Sequence, residues 1–66
     1  MNVAKLKAKI VEKEMNVADL ALIIGMDRSS LYRKLNNAEK ITIGEAIKMK
    51  AALEMTNVEA CDIFLS

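Results

Sequence analysis

The 66-residue sequence contains no histidine, which removes both the commonest general base and the commonest metal ligand. Proline and tryptophan are absent too, and glycine occurs only at Gly25 and Gly44, leaving few residues for the tight turns of a small all-β fold. Cys61 is the single cysteine, so neither a disulfide framework nor a cysteine-based zinc site can be built. The longest apolar run, residues 20–26, falls far short of the roughly 20 residues of a membrane span. The N-terminal residues alternate lysine with small and apolar side chains, without the apolar stretch of a signal peptide. One reduced-looking cysteine and no export signal point to the cytoplasm. With no nucleophile–base pair available, no enzyme is expected, and no cofactor, metal, membrane or small-molecule substrate either.

What remains is aliphatic. Hydrophobic residues make up 53% of the chain and aromatics 3%, so the apolar material is almost entirely Ala, Leu, Ile, Val and Met. These are helix-packing residues, and a chain this short holds one domain, spanning 1–66. Five helix-start signatures are spaced along it. Asn2 precedes Val3, Leu6 and Ile10 on one helical stripe, with Lys5, Lys7, Lys9 and Lys13 on the others and expected in solvent. Asn16 with Asp19, and Asp27 with the Arg-Ser-Ser that follows, read as caps of helices running to Ile24 and to Asn36 or Asn37. Thr42 with Glu45 and Thr56 with Glu59 are capping boxes, predicting helices of roughly 43–54 and 57–65. The expected fold is all-α, a compact five-helix domain. Its expected core is Leu6, Ile10, Leu20, Ala21, Ile24, Leu31, Leu35, Ile43, Ile47, Leu53 and Phe64, with the methionines filling gaps and Cys61 buried as a small hydrophobe.

The net charge of +1 hides a split along the chain. Residues 1–35 carry seven Lys/Arg against four Asp/Glu, and residues 36–66 carry three against five. A near-neutral total can contain one basic face and one acidic face, and polyanion binding depends on the face.

The most informative stretch is residues 16–37, NVADLALIIGMDRSSLYRKLNN. A short helix ends at Ile24, Gly25 follows, and Asp27 caps a second helix. Gly25 can take a positive φ without a Cβ penalty, as a sharp turn demands. Ala21 is small where two crossing helices approach, and Leu31 and Leu35 give the second helix its apolar stripe. Asp27 is read as structural, since an N-cap stabilises by about 1 kcal/mol while a carboxylate aimed at phosphate repels it. A helix, tight turn and helix with residues of these kinds at these offsets describes a DNA-reading helix-turn-helix. With a lysine-rich helix before it and two helices after it, the chain resembles the Cro/repressor-type helix-turn-helix proteins of temperate phages over nearly its whole length. The likeness is greatest to short phage and prophage regulators of Gram-positive bacteria. The resemblance implies a lambda-repressor-like fold with its helix-turn-helix at about 17–36, and a transcriptional regulator, repressor or Cro-like, bound to a double-stranded DNA operator. Two positions depart from the family's pattern. Lys34 stands where an aliphatic residue is common, and Val17 stands where many phage repressors carry a phosphate-contacting glutamine.

At about 100° per residue, Leu31 and Leu35 mark the buried face of the second helix, opposite Ser29, Arg33 and Asn36, with Tyr32 and Ser30 on the flanks. Arg28 sits at the helix entrance, where recognition helices meet base edges. Base contacts are therefore expected from Arg28, Ser29, Tyr32 and Arg33 of a recognition helix at about 28–36, each arginine being able to bond a guanine O6/N7 pair. Backbone contacts, which orient without specifying, are expected from Ser30, Lys34, Asn36, Asn37 and Lys40. The same residue types also make an ordinary solvated helix face, although a surface tyrosine is harder to explain that way.

The segment ending in Ile63, Phe64 and Leu65 is more apolar than one helix of so small a domain can bury. Either Ile63 and Leu65 close the core, or this surface meets a second copy. The resemblance implies a homodimer through this helix, with Ile63, Phe64 and Leu65 as its contacts. The competing reading is a helical protein–protein module, such as an antirepressor or accessory subunit without DNA binding. The near-neutral charge and Val17 favour it.

Overall fold

Each helix begins where a short polar side chain can accept a backbone N–H. In the computed structural model, which describes residues 1–37 and 40–65, Asn2, Asn16, Asp27, Thr42 and Thr56 each accept the amide of the residue three places on. They open α1 (Val3–Glu12), α2 (Val17–Ile24), α3 (Arg28–Asn36), α4 (Ile43–Ala52) and α5 (Asn57–Phe64). At Asn16, Thr42 and Thr56 the carboxylates of Asp19, Glu45 and Glu59 answer by accepting the cap's own N–H, which satisfies two orphan donors at once. Among the described residues there are five helices and no strand, and no helix is long and apolar enough to cross a membrane.

Three of the helices end alike. Glu14, Gly25 and Glu54 take φ values of 58°, 73° and 51°. The next residue, Met15, Met26 or Met55, then returns its N–H to the carbonyl of Ile10, Ala21 or Lys50. This left-handed exit satisfies free carbonyls and turns the chain sharply. Each of the three methionines packs on the core at its corner, where a flexible thioether fills irregular space. A Cβ built on Gly25 meets nothing within 4 Å. The Gly25→Ala variant is therefore expected to lose only the backbone strain of the left-handed conformation, about 1–2 kcal/mol in a urea titration. A loss several times larger would mean that packing, not φ, selects glycine there.

α2 packs on both α3 and α4, and α1 packs on α5. The core between them is Leu6, Ile10, Leu20, Ala21, Ile24, Leu31, Leu35, Met49, Leu53, Met55 and Ile63. Ile43 and Ile47, expected in that core, are instead 82% and 62% exposed. α4 carries apolar side chains on two faces, and only one can turn inward. Met49 and Leu53 fill the core, so Ile43 and Ile47 face outward. Phe64 is half-buried at the core's edge, and Cys61 is exposed rather than buried.

Lys9 departs from expectation in the other direction, being only 7% exposed. Its stem lies against apolar surface, and its ammonium reaches Glu59 at 2.5 Å and Glu12 at 3.5 Å. Lys5 pairs with Asp62 and Lys13 with Glu54, while the Asn2 amide donates to the Ile63 carbonyl at 2.7 Å. Lys5, Lys9 and Lys13 thus pair with acids of the second half of the chain, while Lys7 of α1 stays exposed with no carboxylate within 4.0 Å among the described residues.

The Lys9–Glu59 pair has a consequence for acid stability. The Lys9 ammonium, and after it the Thr56 N–H, hold the Glu59 carboxyl at about 2, below its ordinary 4.5. A depressed carboxylate stabilises the fold above its unfolded value, so this contribution is lost as pH falls from about 4.5 through about 2. Urea midpoints measured across that window should fall more steeply for the wild type than for Glu59→Gln, which keeps the cap but has no proton to take up. Parallel curves would assign the acid sensitivity to other groups.

Candidate nucleic-acid interface

The orientation of α3 is set by two leucines and one cap. The Asp27 carboxylate accepts the Ser30 N–H at 3.2 Å and starts the helix at Arg28. Leu31 and Leu35 are buried, which fixes the rotation of the helix. Ser29, Tyr32, Arg33 and Asn36 consequently stand in solvent, with Tyr32 49% exposed, and Arg28, on the leucine side by helix register, is exposed as the first residue of the helix. Of the four residues expected to touch bases, Ser29, Tyr32 and Arg33 are thus on the open side of α3 and Arg28 is at its exposed start. Arg33 donates through Nη2 to the Ser30 hydroxyl at 3.3 Å, using one of five guanidinium N–H groups and leaving the others for an outside acceptor.

The flank of α3 that turns toward α4 is different. Ser30 and Lys34 are half-buried there, and the Lys34 ammonium lies 2.5 Å from Glu45 Oε2. The other carboxylate oxygen, Oε1, accepts the Thr42 N–H of the α4 capping box. Lys34 first, and the Thr42 N–H second, hold the Glu45 carboxyl below its ordinary range. Sequence reasoning placed Lys34 against phosphate and did not identify Glu45 as its partner. The available signal was stoichiometric: a capping box engages one oxygen of its glutamate and leaves the second uncommitted.

Ser30, Arg33, Lys34, Asn37 and Lys40 line one shallow hollow beside the exposed row. Four of the five residues expected against the DNA backbone are therefore together, each presenting a hydrogen-bond donor. Asn36 lies outside this hollow, on the exposed side. At the start of α2, Val17 has only its backbone N–H to offer. The Asp19 carboxylate sits at that helix end and accepts the Asn16 N–H, so an anion arriving there meets a negative charge.

The C-terminal contacts need one correction. Ile63 is buried in the protomer's own core, because α5 closes against α1 through it, and it has no surface left for a second copy. Phe64 is half-buried and Leu65 is 80% exposed. Both border an apolar hollow shared with Ile43, Ile47 and Cys61. This apolar hollow belongs to α4 and α5 jointly, and Val11 of α1 and Leu22 and Ile23 of α2 are exposed elsewhere.

Ion pairing sorts the cations. Among the described residues, Lys5, Lys9, Lys13 and Lys34 have carboxylate partners, whereas Lys7, Arg28, Arg33, Lys40, Lys48 and Lys50 have none within 4.0 Å. No group of three or more His, Cys, Asp or Glu side chains that could hold a metal ion is found among the described residues. Comparison of the chain with protein-family models, with curated proteins and with solved structures gives no match.

Proposed function

We propose that this protein is a sequence-specific double-stranded DNA-binding regulator of transcription, of the repressor or Cro-like phage type. α2, the Gly25 turn and α3 act as its helix-turn-helix, and α3 enters the major groove. The observation that carries this reading is the open face of α3. Ser29, Tyr32, Arg33 and Asn36 are exposed there and Arg28 is exposed at its start, and the two arginines have no carboxylate partner among the described residues. Side chains of these types match the donor and acceptor pattern of base edges and phosphates. The regulator occupies its operator and blocks polymerase, without catalysis and without a cofactor.

Among the described residues the chain offers one such helix, α3, so reading two half-sites roughly 34 Å apart takes two copies. The proposed homodimer uses Phe64, Leu65, Ile43 and Ile47 as its apolar surface. A protein-interaction module without DNA binding is the competing reading, favoured by that same exposed apolar surface.

The test between them is the salt dependence of binding to the DNA upstream of the protein's own gene. With two or three phosphates engaged per protomer, a DNA-bound dimer should show a slope of log K on log salt of about −4 to −5. No affinity at 50 mM salt would end the DNA reading and leave the protein module.

A further inference from the structure

We propose that Glu45 is a built-in competitor for DNA phosphate, occupying the Lys34 ammonium that α3 would otherwise present to the backbone. The inference rests on the DNA-binding reading and names a control on the same site. Lys34 lines the hollow formed with Ser30, Arg33, Asn37 and Lys40, where a phosphate would sit. Its ammonium already lies 2.5 Å from Glu45 Oε2, and both side chains are half-buried, so this is not a fully solvated surface pair. The two partners are unequally held. Glu45 is fixed by the Thr42 N–H on its other oxygen and by its own amide on the Thr42 hydroxyl. Lys34 has a flexible four-carbon stem, so Lys34 conforms to Glu45 and not the reverse.

An ammonium already paired with a carboxylate neutralises no phosphate, so it displaces none of the cations condensed on the DNA and adds nothing to the salt-dependent part of binding. The working charge left to phosphate in the hollow is then that of Lys40, with Arg33 directed to base edges. Glu45 lowers the affinity of the protein for any DNA, and with it the time spent on non-specific sequence. The sequence-reading row on the open face of α3 is untouched.

The experiment uses the full chain and a mixed-sequence duplex, titrated from 50 to 200 mM salt. Glu45→Gln keeps the acceptor that the Thr42 cap requires, since glutamine also serves in a capping box, but it releases Lys34. Its slope of log K on log salt should steepen by about 0.9 for each bound protomer, and it should bind three- to tenfold tighter at about 50 mM salt. The double variant Glu45→Gln with Lys34→Gln, which removes the pair as a neutral unit, should return to the wild-type slope. A Glu45→Gln slope equal to wild type would overturn the inference. So would a double variant about 0.9 shallower than wild type, because Lys34 would then be engaging phosphate with Glu45 present. If the wild type fails to bind the duplex at 50 mM salt, the DNA reading fails first and this inference falls with it.

Discussion

Replacing Leu31 with alanine is expected to lower the melting temperature by more than about 10 °C. Leu31 is fully buried, and truncating such a leucine costs about 2–5 kcal/mol. At typical per-residue values, a chain of this length holds roughly 3–10 kcal/mol in total, and each 1 kcal/mol moves Tm by about 4–8 °C. Leu31 and Leu35 are the only buried residues of α3, so the loss falls on the helix that carries the candidate site. The control is Ile47→Ala. Ile47 is largely exposed, and its truncation should cost less than about 0.5 kcal/mol at concentrations where the chain is monomeric. If thermal unfolding shows the two variants equally destabilised under those conditions, the assignment of α4's inward face to Met49 and Leu53 is wrong. A cost for Ile47→Ala that appears only as concentration rises would instead report the proposed dimer.

The second large effect is on recognition. Arg33→Ala should weaken binding to a selected site by about 1–3 kcal/mol and relax the preference at one base pair. Arg33 lies on the outermost line of α3, opposite Leu31 and Leu35, and has no carboxylate partner among the described residues. Arg28 stands five residues earlier, about 7.5 Å along the helix axis. Arg28→Ala should therefore relax a different base pair. Lys40→Ala should weaken all sequences alike and make the salt slope shallower by about 0.9. Selection of bound sites from random DNA, carried out with each variant, separates these patterns. Uniform weakening by Arg33→Ala, with no base preference relaxed, would reassign Arg33 to the phosphate backbone.

Helix starts were legible in the sequence because caps act locally. Asn2, Asn16, Asp27, Thr42 and Thr56 each bond a backbone N–H three residues on, a distance fixed by helix geometry alone. The open face of α3 was legible for a related reason. Leu31 and Leu35 are its only large aliphatic residues, so only one rotation buries them. α4 offered no such uniqueness. With Ile43 and Ile47 on one side and Met49 and Leu53 on another, the choice depended on the shape left by α2, which no local pattern records. The same holds for Lys9, Lys34 and their carboxylate partners. Glu59 is 50 residues from Lys9, and Glu45 is 11 residues from Lys34. Pairing over such separations is decided by packing. It withdrew one of the five expected backbone contacts, Lys34, into an internal bond, while the expected base contacts remained open.

The contacts between α1 and α5 also bear on how the molecule comes apart. Lys5 and Asp62 are 57 residues apart in the chain, and the Asn2 amide is bonded to the Ile63 carbonyl. Chain ends ordinarily fray first and independently. Here, lifting either end removes a pairing face from the other and unseats Leu6, Ile10 or Ile63 from the core. Closing so long a loop carries its entropic cost once, and no shorter loop recovers the same contacts. Separation of α1 from α5 is therefore expected to be nearly one event with loss of the whole fold.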